Sequence, residues 1–225
     1  MRTALRALST ALIISGTLLL ADAGATLLWQ EPVSALYSRF QQSELQGELD
    51  RLENFRPPPV ERRALEKLTD PRRRLAFAAR SLDRRTDDGD ALGRLRIDRI
   101  GLDTVFVEGT EPGDLRAGPG HYPATPLPGQ RGTVGIAGHR TTYGAPFRKL
   151  DKLRARDEIV IVMPYGRFTY RVERTRIVKP TAVWVTQRVS YDRLILSACH
   201  PLYSAAERIV VFARLVRSTP RGPAA

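Results

Sequence analysis

Two textures divide this chain. Up to about residue 90 the apolar positions recur at three- and four-residue steps. From about Ala91 they form short alternating or wholly apolar runs separated by glycine and proline. The second texture predicts strands at Leu92–Ile97, Asp103–Glu108, Thr133–Gly138, Glu158–Met163, Phe168–Val178, Ala182–Val185, Arg193–Cys199 and Arg208–Val216. Met163-Pro164-Tyr165-Gly166-Arg167 reads as the turn of a hairpin. Seven or eight short strands with little helix between them predict a closed or nearly closed β-barrel over 91–217, followed by a tail at 218–225. In the first texture, Val33, Leu36, Tyr37, Phe40, Leu45, Leu49 and Leu52 predict a helix that ends before Pro57-Pro58-Pro59. Short helices around Pro71 follow. Residues 30–90 therefore read as a stalk, part helix and part linker, with the alternative that these helices pack on the head.

The first 29 residues set the compartment. Arg2 and Arg6 precede an uncharged run from Ala7 to Ala21, and after Asp22 the apolar character resumes to Trp29. The stretch from about Leu8 to Trp29 reaches the ~20 residues needed to cross a bilayer. The basic residues in front of it place the amino terminus on the cytoplasmic side and the rest outside. A cleaved signal peptide is the competing reading, because Ala21-Asp22-Ala23 and Ala23-Gly24-Ala25 resemble cleavage sites. Both readings export everything after residue 30. The favoured one is a single-pass membrane protein with an extracellular head.

Composition narrows the functions. Across 225 residues the formal charge is +12 and the sequence pI about 10.6. Arginine supplies nearly all of the cations, but it is spread along the chain without aromatic interleaving, so nucleic acid is not an expected partner. The single cysteine, Cys199, excludes an internal disulfide and multi-cysteine zinc sites. No metal or other cofactor is expected.

Three residues carry candidate chemistry. Cys199 ends the apolar run Arg193–Cys199, just before His200-Pro201, which places it at a barrel rim. A lone cysteine in an apolar strand is usually a buried hydrophobe, yet an exported chain that keeps one unpaired thiol carries an oxidation hazard that a functional need would explain. His139 follows another strand in Gly138-His139-Arg140, and an imidazole beside a thiol can deprotonate it or stabilise its thiolate. Its bland alternative is a turn histidine bonded to a local carbonyl. Arg208 opens the last strand nine residues after Cys199, where a guanidinium could bind an oxyanion. His121 and His200 read as rim or supporting residues.

As a set these residues resemble the sortase family. The resemblance rests on Gly138-His139 after a strand, Leu196-Ser197-Ala198-Cys199 ending a strand and Arg208 opening the next, and spans about Leu92–Leu215. Val178-Lys179-Pro180-Thr181 before Val183 and Val185 is similar as well. The strings His139–Phe147, Cys199-His200-Pro201 and Gly118–Pro123 resemble the class E sortases of actinobacteria. The resemblance implies an eight-stranded barrel and a cysteine transpeptidase. Cys199 would cleave a Leu-Ala-x-Thr-Gly sorting signal of an exported protein between Thr and Gly through a thioacyl intermediate. His139 would act as acid and base, and Arg208 would steady the oxyanion. The implied acceptor is the amine of a peptidoglycan precursor, and the implied substrate contacts are Tyr143, Thr141, Ser197, Ala198, Val183 and Val185. One departure stands out, since Ala198 replaces the threonine that usually precedes the nucleophile. Two alternatives remain: a pilus-type enzyme using a protein lysine as acceptor, and a non-catalytic barrel that binds wall polymer.

Overall fold

The computed structural model describes residues 2–28, 32–54 and 56–225. Eight strands close into a barrel: β1 (Ala91–Ile97), β2 (Leu102–Glu108), β3 (Gly120–His121), β4 (Thr133–Ala137), β5 (Glu158–Met163), β6 (Gly166–Val178), β7 (Arg193–His200) and β8 (Glu207–Pro220). Their order around the barrel is β1-β2-β3-β4-β7-β8-β6-β5. The β2–β3 and β4–β7 pairs are parallel and the others antiparallel. The eight-stranded β-barrel expected from the sequence is present.

Strand alternation explains the core. Along β7, Leu194, Leu196 and Ala198 point into the main core with Phe106, Ile136, Phe168 and Val211. Ile195 points outward, into a second apolar cluster with Val185, Val210 and Phe212. A strand covered on both faces reads as a continuous apolar run rather than an alternating one.

One predicted strand is absent and one strand is added. Ala182–Val185 is not a strand: Val183–Thr186 forms a 3-10 turn whose Val185 covers the outer cluster. Its apolar character comes from packing across β7 and β8, not from membership of the ladder. β3 was not predicted, since two residues carry no period. It forms because His121 and Gly120 fit between β2 and β4.

The segment before the barrel is helical: α1 (Arg2–Leu28), α2 (Pro32–Glu53), α3 (Pro59–Lys67) and α4 (Pro71–Asp83). Within α1 an apolar stretch, Thr3–Gly24, has mean hydropathy 1.7 and is long enough to span a bilayer. Trp29 and the boundary expected at residues 29 and 30 lie outside the described residues. Pro59 and Pro71 stand at helix starts, where a missing N–H costs nothing, and Asp70 caps α4 by accepting from the Arg72 N–H.

The expected stalk is instead part of the head. Leu45 and Leu49 of α2 bury themselves against Ala91, Val105 and Val107. Leu75, Ala78, Ala79 and Leu82 of α4 enter the main core. The Gln42 amide satisfies four groups at once: Nε2 donates to the carbonyls of Val105 (3.0 Å) and Ala117 (2.8 Å), and Oε1 accepts from the Val105 N–H and the Thr104 hydroxyl, each at 2.8 Å. The C-terminal tail also differs from expectation, because β8 runs on to Pro220 and Ala224 is fully buried.

Candidate active site

Register brings the three candidate residues to one end of the barrel. Cys199 and Arg208 are directly paired across β7 and β8. Ala137 of β4 is paired with Ser197 of β7, and the Gly138 N–H extends that ladder by donating to the Ser197 carbonyl at 3.0 Å. His139 thus follows β4 at the level of Cys199. Laterally paired residues point to the same side of a sheet, so the thiol and the guanidinium share the outward face that also carries Ile195 and Ser197. Cys199 is half-buried and free. The sulfur is not sealed in the core.

Each local conformation has a cause in the sequence. A Cβ at Gly138 would lie 2.7 Å from the Phe147 ring, so only glycine lets the His139 loop fold back over Phe147. The Phe147 N–H donates to the His139 carbonyl at 3.0 Å and closes that loop. Tyr143 and Ala145 sit in left-handed backbone conformations at φ 50° and 43°, on either side of Gly144 at φ 73°. Such strain persists only where the surroundings hold it, and here α2 does so. Ser34 accepts from the Tyr143 N–H at 3.3 Å, and Tyr37 packs edge-on to the Tyr143 ring at 6.3 Å. Tyr143 in turn lies 5.2 Å from the His139 ring, with the Arg116 guanidinium 5.8 Å from its own ring centroid.

The electrostatics of His139 follow from this packing. Burial, and secondarily the positive charge of Arg116, lower its pKa below the ordinary imidazole value. Its Nε2 is buried without a hydrogen-bond partner among the described residues. Both features leave a ring nitrogen available for a proton from a reacting group. Removing the Arg116 charge removes one of the two depressing influences. The limb of the kcat/KM–pH profile governed by His139 is therefore expected to move to higher pH in Arg116→Gln. An unmoved limb in that profile would show that another group governs it.

Arg208 directs its guanidinium to its own loop, donating from Nη1 to the carbonyls of Ala205 (2.9 Å) and Glu207 (3.0 Å). Those bonds brace the β7–β8 connection and leave Nη2 and Nε without a partner among the described residues. His200 lies on the opposite face from Cys199, as alternation requires. Its Nδ1 accepts from Arg140 at 3.1 Å. Arg140 is only 4% exposed and also donates to the Asp151 carboxylate (3.1 Å), the Arg148 carbonyl (3.3 Å) and, at 3.5 Å, the Cys199 carbonyl. One side chain thus couples the residue after His139 to the strand end that carries Cys199. We expect Arg140→Met to lower kcat by about 10–100-fold through misplacement of the pair, with KM little changed. Arg140→Lys should restore part of that loss. A loss confined to KM would show that the network acts on binding instead.

The substrate contacts implied by resemblance fall into two groups. Thr141 and Tyr143 lie on the His139 loop, and Ser197 shares the face of Cys199, where its hydroxyl is 2.8 Å from the Tyr122 hydroxyl. Val183 is 75% exposed at the top of the 3-10 turn, whereas Val185 is buried beneath it. Ala198 requires correction. Its side chain faces the core at 3% exposure, away from the face that carries Cys199. His121 also departs from expectation. It is fully buried, 2.9 Å from Glu108 through Nδ1 and 3.0 Å from the Thr125 hydroxyl through Nε2, rather than at the rim.

Several neighbours were not anticipated. Trp184, 40% exposed, stacks on Phe212 at 6.0 Å and 8° and covers the outer cluster. Arg193, 4% exposed, ties the covering turn down by donating to the carbonyls of Val185 (2.8 Å) and Gln187 (2.9 Å) and to the Thr133 hydroxyl (3.2 Å). Tyr122 reaches Ser197 because Gly135 has no side chain, a Cβ there lying 2.6 Å from the Tyr122 ring. Gly118–Pro123 was visible as a motif, but nothing in it indicates which strand Tyr122 crosses.

A sortase domain model matches residues 95–216, more than half of the chain and nearly all of the barrel. The chain belongs to the sortase family. Sortase D of Bacillus subtilis is 33% identical over 134 residues, covering 58% of this chain and 66% of that protein. Sortase SrtE1 of Streptomyces coelicolor is 27% identical over 151 residues, covering 60% of this chain and 43% of that one. This sortase therefore spans less than two thirds of either curated relative. Among solved structures, sortase E from Streptomyces avermitilis superposes with a TM-score of 0.55 at 34% identity, over 60% of this chain and 93% of that one. A Clostridium perfringens sortase D5 transpeptidase reaches 0.62 over 79% and 99% at 24% identity, a likeness of fold.

Proposed function

We propose that this sortase is a membrane-anchored cysteine transpeptidase that cleaves a Leu-Ala-x-Thr-Gly sorting signal between Thr and Gly and transfers the new carboxyl end to an amine. The observation that carries the reading is the shared register of Cys199, His139 and Arg208 at one barrel end. Once the Cys199 thiol has passed its proton to His139, the thiolate attacks the threonine carbonyl carbon, and the carbonyl electrons move onto oxygen, where the free Arg208 N–H groups can receive the charge. The C–N bond then breaks, and the imidazolium of His139 gives its proton to the departing glycine amine. A thioacyl enzyme remains. An incoming amine gives up a proton to His139, attacks the thioester and releases the thiolate, which restores the starting state.

The exposed apolar residues on this face suit such a signal. Val183 and Trp184, 75% and 40% exposed above the buried cluster of Val185, Ile195, Val210 and Phe212, offer apolar surface for leucine and alanine. Sortase E1 from Streptomyces coelicolor, 27% identical, has been solved with a tripeptide in its active site, which supports a peptide occupant here. The acceptor we favour is a peptidoglycan precursor, reached from outside the membrane with α1 as the anchor. The test incubates the full chain in zwitterionic nanodiscs with a Leu-Ala-x-Thr-Gly peptide and, in parallel, with a peptidoglycan stem-peptide amine or a protein lysine. Mass spectrometry of the products should show cleavage after threonine and ligation to the stem-peptide amine. Ligation to lysine alone would reassign the acceptor, and no thioacyl product with any amine would remove the reading.

A further inference from the structure

The barrel end opposite Cys199 carries a second, cationic groove that the transpeptidase chemistry does not use. Two adjoining cavities of about 710 and 400 Å3 share Arg72, Arg131 and Arg188 on their walls, and Arg80 and Arg217 line the larger. All five arginines are exposed, and among the described residues none has a carboxylate within ion-pair reach. The two acidic residues in the groove are already engaged, Asp70 with the Arg72 N–H and Arg73, and Asp192 with the Gly132 N–H. Five exposed arginines against two carboxylates leave the concave surface with an excess of positive charge, which raises its potential and favours a ligand of opposite sign. Guanidinium forks match phosphate oxygens in pairs, which makes phosphate the best-fitting anion. The aromatic residues are not available for stacking: Phe168 is fully buried and Tyr191 is covered by Arg214 at 3.6 Å. The ligand is thus recognised by its phosphates, not by bases.

Position selects the source of those phosphates. Arg131 and Arg188 precede β4 and β7, whose far ends carry His139 and Cys199. Six residue steps along β7 lead from Arg193 to Cys199, roughly 20 Å at the rise of a strand. The start of α2 packs at the catalytic end through Ser34 and Tyr143, and only residues 29–31 join it to α1, a reach of at most roughly 14 Å. With α1 as the anchor, as in the function proposed above, the catalytic end lies nearer the bilayer and the arginine groove faces away from it. We propose that this groove binds a linear phosphate-bearing polymer on the side of the head remote from the membrane. Bound there, the polymer would hold the enzyme within the wall layer while leaving the catalytic mouth open.

The test uses the full chain in zwitterionic nanodiscs, with fluorescent long-chain polyphosphate as the probe and binding read by polarisation. Arg72→Gln/Arg131→Gln/Arg188→Gln should bind at least tenfold more weakly and cleave the signal peptide at the unaltered rate. The triple control Arg51→Gln/Arg62→Gln/Arg63→Gln removes the same charge from exposed sites outside the groove and should lose less than threefold. Equal losses in both triples would overturn the proposal, since the net charge alone would then account for binding. Displacement of polyphosphate by phosphatidylglycerol vesicles at equal phosphate would overturn it in favour of a membrane-facing surface. Loss of peptide cleavage with the groove binding intact would instead count against the transpeptidase reading and leave this one standing.

Discussion

Cys199→Ala is expected to reduce cleavage of a Leu-Ala-x-Thr-Gly peptide to the uncatalysed background, because no other thiol exists in the chain to form the thioacyl intermediate. His139→Ala should lower kcat/KM by about 10²–10⁴-fold, the usual worth of a positioned proton donor. His200→Ala should keep most of the activity, although His200 is the histidine next to the nucleophile in sequence. Alternation turns its ring to the other side of β7, and its Nδ1 is held as an acceptor from Arg140. The three variants form one experiment, read as peptide cleavage by chromatography at fixed pH. Full activity in Cys199→Ala, or a larger loss in His200→Ala than in His139→Ala, would mean that the wrong side chains have been assigned to the chemistry.

The second large effect is on stability. Gln42→Ala should destabilise the head by about 3 kcal/mol, because the Val105 N–H and C=O, in a residue 1% exposed, each lose a partner at about 1–3 kcal/mol. For a chain of this size that corresponds to a Tm lower by roughly 6–12 °C. Gln42→Met keeps the volume and removes the same hydrogen bonds, so it should fall nearly as far; recovery in Met would assign the effect to packing. The consequence reaches the active site, since α2 also supplies Ser34 and Tyr37 to Tyr143. Removing residues 1–54 should therefore cost activity as well as stability, an outcome that a free stalk would not produce. Thermal unfolding followed by circular dichroism, beside the cleavage assay, measures both.

The dependence on α2 shows where reading the chain residue by residue stops. The apolar spacing of Leu45, Leu49 and Leu52 predicts a helix, but spacing alone does not say what the apolar stripe faces. A polar residue such as Gln42 in the middle of it reads as solvent-exposed until Val105 and Ala117 are placed on either side. The same ambiguity produced the false strand at Ala182–Val185. Four apolar residues bury as well in a 3-10 turn laid over another sheet face as in the ladder itself. Family resemblance makes Ala198 a substrate contact, but alternation along β7 sends its side chain into the core.

The linear pattern alone settled the strand-rich head, most of its strands to within a few residues and the apolar N-terminal helix, and together with the family resemblance it nominated Cys199, His139 and Arg208. Those features are local: periodicity, turn residues and strand-end positions are written over a handful of neighbours. Only the folded chain decided that β4 and β7 run parallel with Ala137 beside Ser197, that α2 braces the loop of His139, and that the free arginines gather at the opposite end. Those facts depend on pairing between segments tens of residues apart, where register and closure of the whole barrel, rather than any local preference, choose which side chains meet.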